Sequence, residues 1–290
     1  MKAYGKRSMS TRQEQLDLFV ALVGDIPFRD DREAMSAPLV SLAKRSPDRL
    51  EWTGPAGQKV EISSKNGGIA TIYDFDIVIW AISQINAGIE RGREPSATVT
   101  FRPYDLLKAV GRGVSGRDYE RFKAAIGRLR DTRVQTTIRR RQKDRIEDFN
   151  LLADFTLEED MQGRPIGAQI TLPRWIYNAV RSRQEILSIH RGYFELSGGL
   201  DRFLYRLARR HAGNGIDNPD GWCFTFRDLQ QRSGSPMPYG QFARDLRRAI
   251  ERDCLPTYTL REEAGANGPL LRMRTRWRAE ARAITHSDGI

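Results

Sequence analysis

YDLLKAVGRGVSGRDYERFKAAIGRLRDT, residues 104–132, is the stretch that decides the fold. Pro103 and the helix formers behind it open a short helix through Val110, because proline is tolerated in a first turn. The glycines that follow break it. Ser115 and Asp118 then stand at capping-box spacing and start a second helix that runs to about Asp131. At 100° per residue, Tyr119, Phe122, Ile126 and Leu129 share one face and Arg117, Arg121 and Arg128 the other. Two helices joined by a tight glycine-containing turn make a helix-turn-helix, and the second has the form of a recognition helix. Its arginines can pair with guanine edges or sit on phosphates, and residue type alone leaves both open. Gly111, Gly113 and Gly116 match G-x-G-x-x-G literally. A helix rather than a strand precedes them, and the lysine of a phosphate-binding loop is missing, so they read as a turn and no nucleotide cofactor is expected.

Downstream, Val134 to Ile138 and Ile146 to Leu152 alternate like strands, joined by RRRQKDR at residues 139–145. A helix-turn-helix followed by a β-hairpin is a winged helix, so this turn reads as a wing tip. Its five basic residues, Arg139, Arg140, Arg141, Lys143 and Arg145, repel one another unless an anion is present, which favours the phosphate backbone or minor groove. Glu147 to Asp160 holds six acids and no Lys or Arg, and should face away from a polyanion. Upstream, Ile69 to Gly88 reads as a long core helix carrying Ile72, Phe75, Val78, Ile79, Ile82 and Ile85 on one face. An exposed loop at Asn86 to Ala97 and a strand at Thr98 to Phe101 follow.

The same order returns later in the chain: a helix at Leu200 to His211, a strand at Cys223 to Phe226, and helices at Arg227 to Arg232 and Tyr239 to Arg252. Strands at Leu255 to Leu260 and Leu270 to Trp277, joined through GANG, complete it. Tyr119, Phe122 and Ile126 fall opposite Tyr239, Phe242 and Leu246 at an offset of 120 residues, and V-T-F-R ending at Arg102 matches F-T-F-R ending at Arg227. This is an internal duplication of one unit. In the second long helix Phe242, Leu246, Ala249 and Ile250 form the buried set, and Arg244, Arg247 and Arg248 project opposite. Glu262 and Glu263 beside GANG keep the second hairpin tip off phosphate. Its return strand alternates Leu271, Met273, Thr275 and Trp277 with Arg272, Arg274 and Arg276.

The N-terminal residues 1–68 form an extension, with an amphipathic helix expected around Gln13 to Val23. Leu50, Trp52, Val60 and Ile62 alternate on either side of GPAG as in a hairpin. This region suits packing on the next domain or self-association. The remaining boundaries are a first winged-helix domain at 69–185, a second at 186–282 and a tail at 283–290.

With 290 residues and 39% hydrophobic side chains, the chain can bury real cores. Its net charge of +11 concentrates in two blocks, +9 over residues 101–145 and +7 over 202–282, around an acidic segment, while residues 1–100 are neutral. A polyanionic partner follows. No apolar run approaches the roughly 18 residues of a membrane span, and the basic N-terminus lacks a long enough core for a signal peptide, so a cytoplasmic protein is expected. Cys223 and Cys254 suit neither a disulfide framework nor zinc, and three scattered histidines make no metal or catalytic cluster. Asp74 and Asp76 open a helix, where carboxylates stabilise the dipole, rather than forming a nuclease site. Catalytic residues, metals and cofactors are therefore expected to be absent.

Four strings resemble the plasmid replication initiator protein A family, the RepA-like tandem winged-helix initiators of proteobacterial plasmids. They are DIPFRDDREAMSAPLVSLAK from Asp25, GIATIYDFDIVIWAISQI near Gly68, the helix-turn-helix from Tyr104, and GGLDRFLYRLARRHAG from Gly198. The resemblance implies a non-enzymatic protein that binds direct repeats (iterons) in double-stranded origin DNA and helps open it. It further implies recruitment of the host replication initiator and replicative helicase, and repression of its own promoter as a homodimer. The expectation is an α+β protein of two tandem winged helices with an N-terminal extension. A dedicated transcriptional repressor and a DNA-nicking enzyme are the rival readings. RNA binding lacks a base-stacking aromatic sheet.

Overall fold

Residues 76–88 are apolar or small at almost every position, so a helix here has no face to give to water. In the computed structural model, which describes residues 21–22, 26–43, 46–139, 146–214 and 218–276, helix α1 (Asp76–Glu90) is buried at each residue from Asp76 to Gly88. It starts later than the apolar periodicity suggests. Residues 71–75 form a turn instead, because the Asp74 carboxylate accepts from the backbone N–H and hydroxyl of Thr71 at 2.8 and 2.9 Å, a local side-chain bond that competes with the helix. At its other end α1 runs into the segment expected to be a loop, ending at Glu90.

The chain continues through β4 (Thr98–Phe101), α2 (Pro103–Ala109) and α3 (Gly116–Asp131), preceded in the extension by β1 (Arg29–Asp31), β2 (Arg49–Thr53) and β3 (Lys59–Ser64). Both halves of the Ser115/Asp118 capping box are formed. After α3 come β5 (Thr132–Thr136), β6 (Glu147–Asn150), β7 (Asp154–Glu159), β8 (Pro165–Thr171), α4 (Arg174–Ser182) and β9 (Ile186–Ser188). A 3-10 turn at Arg191–Glu195 leads to α5 (Gly199–His211), β10 (Trp222–Thr225), α6 (Phe226–Ser233), α7 (Tyr239–Arg252), β11 (Tyr258–Glu263) and β12 (Leu270–Thr275).

Two units of this mixed α/β fold share one winged-helix-like order. In the first, β4 precedes α2 and α3 and pairs with β8, giving the sheet β4-β8-β7; in the second, β10 precedes α6 and α7 and pairs with β12, giving β10-β12-β11. Phe122, Ile126 and Leu129 of α3 are buried, as are Phe242, Leu246 and Ala249 of α7. Each first helix stops at a glycine with left-handed backbone, Gly111 (φ 71°) and Gly234 (φ 62°), a conformation that costs glycine little.

This topology corrects the reading of the first wing. The strand pair β5–β6, between which residues 139–145 fall in sequence, does not join the helix-turn-helix sheet. β5 pairs along β3, from Val60 with Thr136 to Ser64 with Thr132, giving the four-stranded sheet β2-β3-β5-β6. The extension hairpin β2–β3 supplies a bonding edge that captures β5, and the hairpin beside the helix-turn-helix is β7–β8, turning at residues 160–164. The acidic run expected to face elsewhere therefore supplies β6 and the outer wing strand. The helix expected around residues 13–23 lies, residues 21–22 apart, outside the described residues.

Candidate nucleic-acid interface

The capping box and the buried stripe of α3 fix which of its residues meet water. Arg117 is exposed and makes no ion pair with any described residue. Arg121 is 66% exposed and touches Asp118 only at 3.4 Å, a contact worth little in solvent. Ala124 is exposed between them and the C-terminal turn, leaving a low surface that a duplex can approach. Arg128 is different. Its Nε and Nη2 donate to the two carboxylate oxygens of Asp74 at 2.8 and 2.7 Å, so this arginine clamps α3 to the turn before α1.

In α7, Arg244 is exposed without an acidic partner among the described residues, and Arg248 is 70% exposed with only a 3.4 Å contact to Asp245. Arg247 donates to Glu262 of β11 through Nη2 at 2.8 Å and Nε at 2.9 Å. The first unit has a parallel latch, Lys123 Nζ to Glu159 of β7 at 2.6 Å. In both units a wing glutamate holds a cation of the long helix. The sequence pointed to Glu262 but not to Glu159, because the first wing was assigned to another hairpin.

Arg139 is nearly buried at the base of the β5–β6 turn. Its guanidinium lies 3.9 Å over the Trp175 ring, pairs with Asp31 and faces Glu185 at 3.3 Å. It is part of the packing rather than of a basic tip. Arg140, Arg141, Lys143 and Arg145 lie outside the described residues.

Two arginines absent from the sequence-based set stand in equivalent places. Arg102 caps the start of α2 and Arg227 lies in the first turn of α6. Both are exposed with no acidic partner among the described residues, and each follows a buried phenylalanine, Phe101 or Phe226. The matching V-T-F-R and F-T-F-R strings were the signal for them.

Behind these surfaces lies a set of sealed ion pairs. Arg202 of α5 meets Asp76 of α1, and Arg206 meets Asp30 of β1 through Nε at 2.6 Å. Asp76 opens α1 and Asp74 lies in the turn before it, and both are spent on arginines. Among the described residues no group of three or more His, Cys, Asp or Glu side chains is placed to hold a metal ion, and no helix is long and apolar enough to cross a membrane.

Comparison with known proteins adds three findings. The family model described as "Replication initiator protein A" matches residues 29–260. A protein of Wigglesworthia glossinidia brevipalpis named "Putative replication protein" is 31% identical over 238 residues, covering 81% of this chain and 84% of that protein. Among solved structures, selenomethionine derivatives of domains 2 and 3 of RctB superpose with a TM-score of 0.60 at 15% identity, covering 84% of this chain and 98% of that one. A second structure of RctB domains 2-3 gives a TM-score of 0.55 at 13% identity, covering 87% and 99%. At such identity the likeness to RctB speaks for the fold alone.

Proposed function

Because the chain belongs to the replication initiator protein A family, we propose that it initiates plasmid replication by binding iterons in double-stranded origin DNA through two winged helices. The observation that carries this reading is the pair of topologically equivalent helix-turn-helix units, each presenting exposed arginines from its long helix: Arg117 and Arg121 from α3, Arg244 and Arg248 from α7. Two such helices entering the major groove suit contact sites about one helical turn, roughly 10 bp, apart. Neutralising about six phosphates would give a slope near −5 in log K against log salt.

In this reading the protein acts by binding, without catalysis of its own. It opens the origin, recruits the host replication initiator and replicative helicase, and as a homodimer represses its own promoter. Footprinting on the noncoding DNA of its own replicon tests the core of the proposal. Periodic protection of direct repeats with distortion of adjacent A·T-rich DNA is expected. Protection confined to an inverted repeat would favour a dedicated repressor, and metal-dependent nicking of supercoiled origin DNA that a Tyr or acid substitution abolishes would make it an enzyme.

A further inference from the structure

We infer that Arg102 and Arg227 are a matched pair of phosphate-anchoring residues, one in each unit, which supply a backbone contact from outside the wings. The inference rests on the DNA-binding reading above and extends it to residues outside both recognition helices. Three observations lead to it.

The first is charge on the wings. The turn of β7–β8 follows Glu158, Glu159 and Asp160, and β11 ends in Glu262 and Glu263. A phosphate backbone laid along the first hairpin would meet these carboxylates, and in the second Glu262 and Glu263 engage Arg247 and Arg272 and so compete with phosphate for those cations. The second is equivalence. Arg102 and Arg227 each follow a buried phenylalanine at the junction between the strand that pairs with the return strand of the wing and the first helix of the helix-turn-helix: Phe101 is the last residue of β4 and Phe226 the first of α6. Burial of Phe101 and Phe226 leaves the next side chain facing water in both units. The third is what holds the cation. The Arg227 guanidinium lies 4.4 Å over the ring of Tyr239, the first residue of α7. A cation on an aromatic face is oriented without being neutralised, and this one stands beside the end of the recognition helix. When such a helix enters the major groove, the first helix crosses the sugar–phosphate backbone. Among the described residues neither arginine has an acid to leave before it meets a phosphate.

A phosphate contact carries no sequence information, so its loss weakens all duplexes alike. The test uses the full chain with Arg102→Ala, Arg227→Ala and the double variant, and Arg181→Ala on the exposed side of α4 as a control for loss of charge. Binding is titrated against salt on the noncoding DNA of its own replicon and on a scrambled duplex of equal length. Each single variant should flatten the slope by about 0.9, so that its affinity falls about threefold less than the wild type's between 50 and 200 mM salt, and the double variant should flatten it by about 1.8. The ratio of specific to scrambled affinity should hold, and Arg102→Lys and Arg227→Lys should keep the wild-type slope. Slopes matching Arg181→Ala in a wild type that binds DNA would overturn this inference alone. Loss confined to the replicon DNA would make these arginines base readers and overturn it too. A wild type that binds neither duplex would overturn the proposed function and this inference with it.

Discussion

Arg202 donates through Nη1 to both carboxylate oxygens of Asp76, at 2.7 and 2.8 Å, with the two side chains only 6% and 1% exposed. The same carboxylate accepts from Arg112, in the turn between α2 and α3, at 3.1 Å. One aspartate at the start of α1 thus ties the core helix of the second unit to the helix-turn-helix of the first. Arg202 is further held by the carbonyls of Leu196 and Phe194.

Arg202→Ala leaves Asp76 buried with Arg112 as its remaining cation, and removing one partner of a sealed pair costs about 3–5 kcal/mol. Burial pushes the Asp76 carboxyl above its ordinary value, against the pull of Arg202 and Arg112. A carboxyl with a folded pKa above its unfolded one binds its proton more tightly when folded, so its contribution to stability rises as pH falls through the folded pKa. Without Arg202 that pKa rises further. Urea denaturation should show a larger deficit for Arg202→Ala at pH 7 than at pH 5, and an equal deficit at both would refute the assignment.

His211 closes the end of α5 between Trp222 and Phe224, with ring centroids 5.4 and 5.0 Å away, and lies 3.3 Å from Ser36 Oγ of the extension. Burial, reinforced by Arg210, Arg232 and Arg32, pushes its pKa down to about 3. A histidine with a folded pKa below the unfolded value near 6.5 contributes stability that is present at neutral pH and lost as pH falls through the window between the two. At pH 5 the loss is on the order of 2 kcal/mol. His211→Gln should show a correspondingly shallower decline between pH 7.5 and pH 5 by denaturant midpoint, and a parallel decline would count against this.

The Arg128–Asp74 pair predicts a structural phenotype inside a recognition helix. Arg128→Ala should cost about 1.5–3 kcal/mol, the range for hydrogen bonds to charged groups. A double-mutant cycle with Asp74→Ala should return a coupling of about 0.5–3 kcal/mol. DNA affinity of the folded fraction should stay near the wild-type value. A stable Arg128→Ala protein that has lost DNA binding would reverse the assignment.

Arg121→Ala and Arg244→Ala, by contrast, should leave the melting temperature within the scatter of surface substitutions. Each should weaken specific binding by about 1–3 kcal/mol if it reads a base. Mobility-shift titrations check this, and wild-type affinity in both variants would remove α3 and α7 from the interface.

Glu262→Gln releases Arg247 from its bidentate latch. The freed guanidinium adds a cation beside α7, so the variant should bind scrambled duplex more tightly and steepen the salt slope by about 0.9. Anisotropy titrations at several salt concentrations read this directly. An unchanged slope would mean that Arg247 is too far from DNA for its latch to matter.

The helix-turn-helix pairs and their repetition were legible in residue order, since a capping box, a glycine stop and a three- or four-residue apolar spacing act within a few residues of one another. Arg117, Arg121, Arg244 and Arg248 could be placed on the exposed faces for the same reason. Two features could not be read this way. Which hairpin forms the first wing depended on β3, some 70 residues upstream, offering an edge to β5; alternation shows that a strand exists but not which strand it will pair with. Which arginines remain free depended on acids distant in sequence, Asp74 for Arg128 and Asp31 for Arg139. Local periodicity, which spans a turn or two, thus determined the elements and their faces. The tertiary structure decided strand partners and charge pairing, because both are settled only when the chain brings remote edges and opposite charges together out of water.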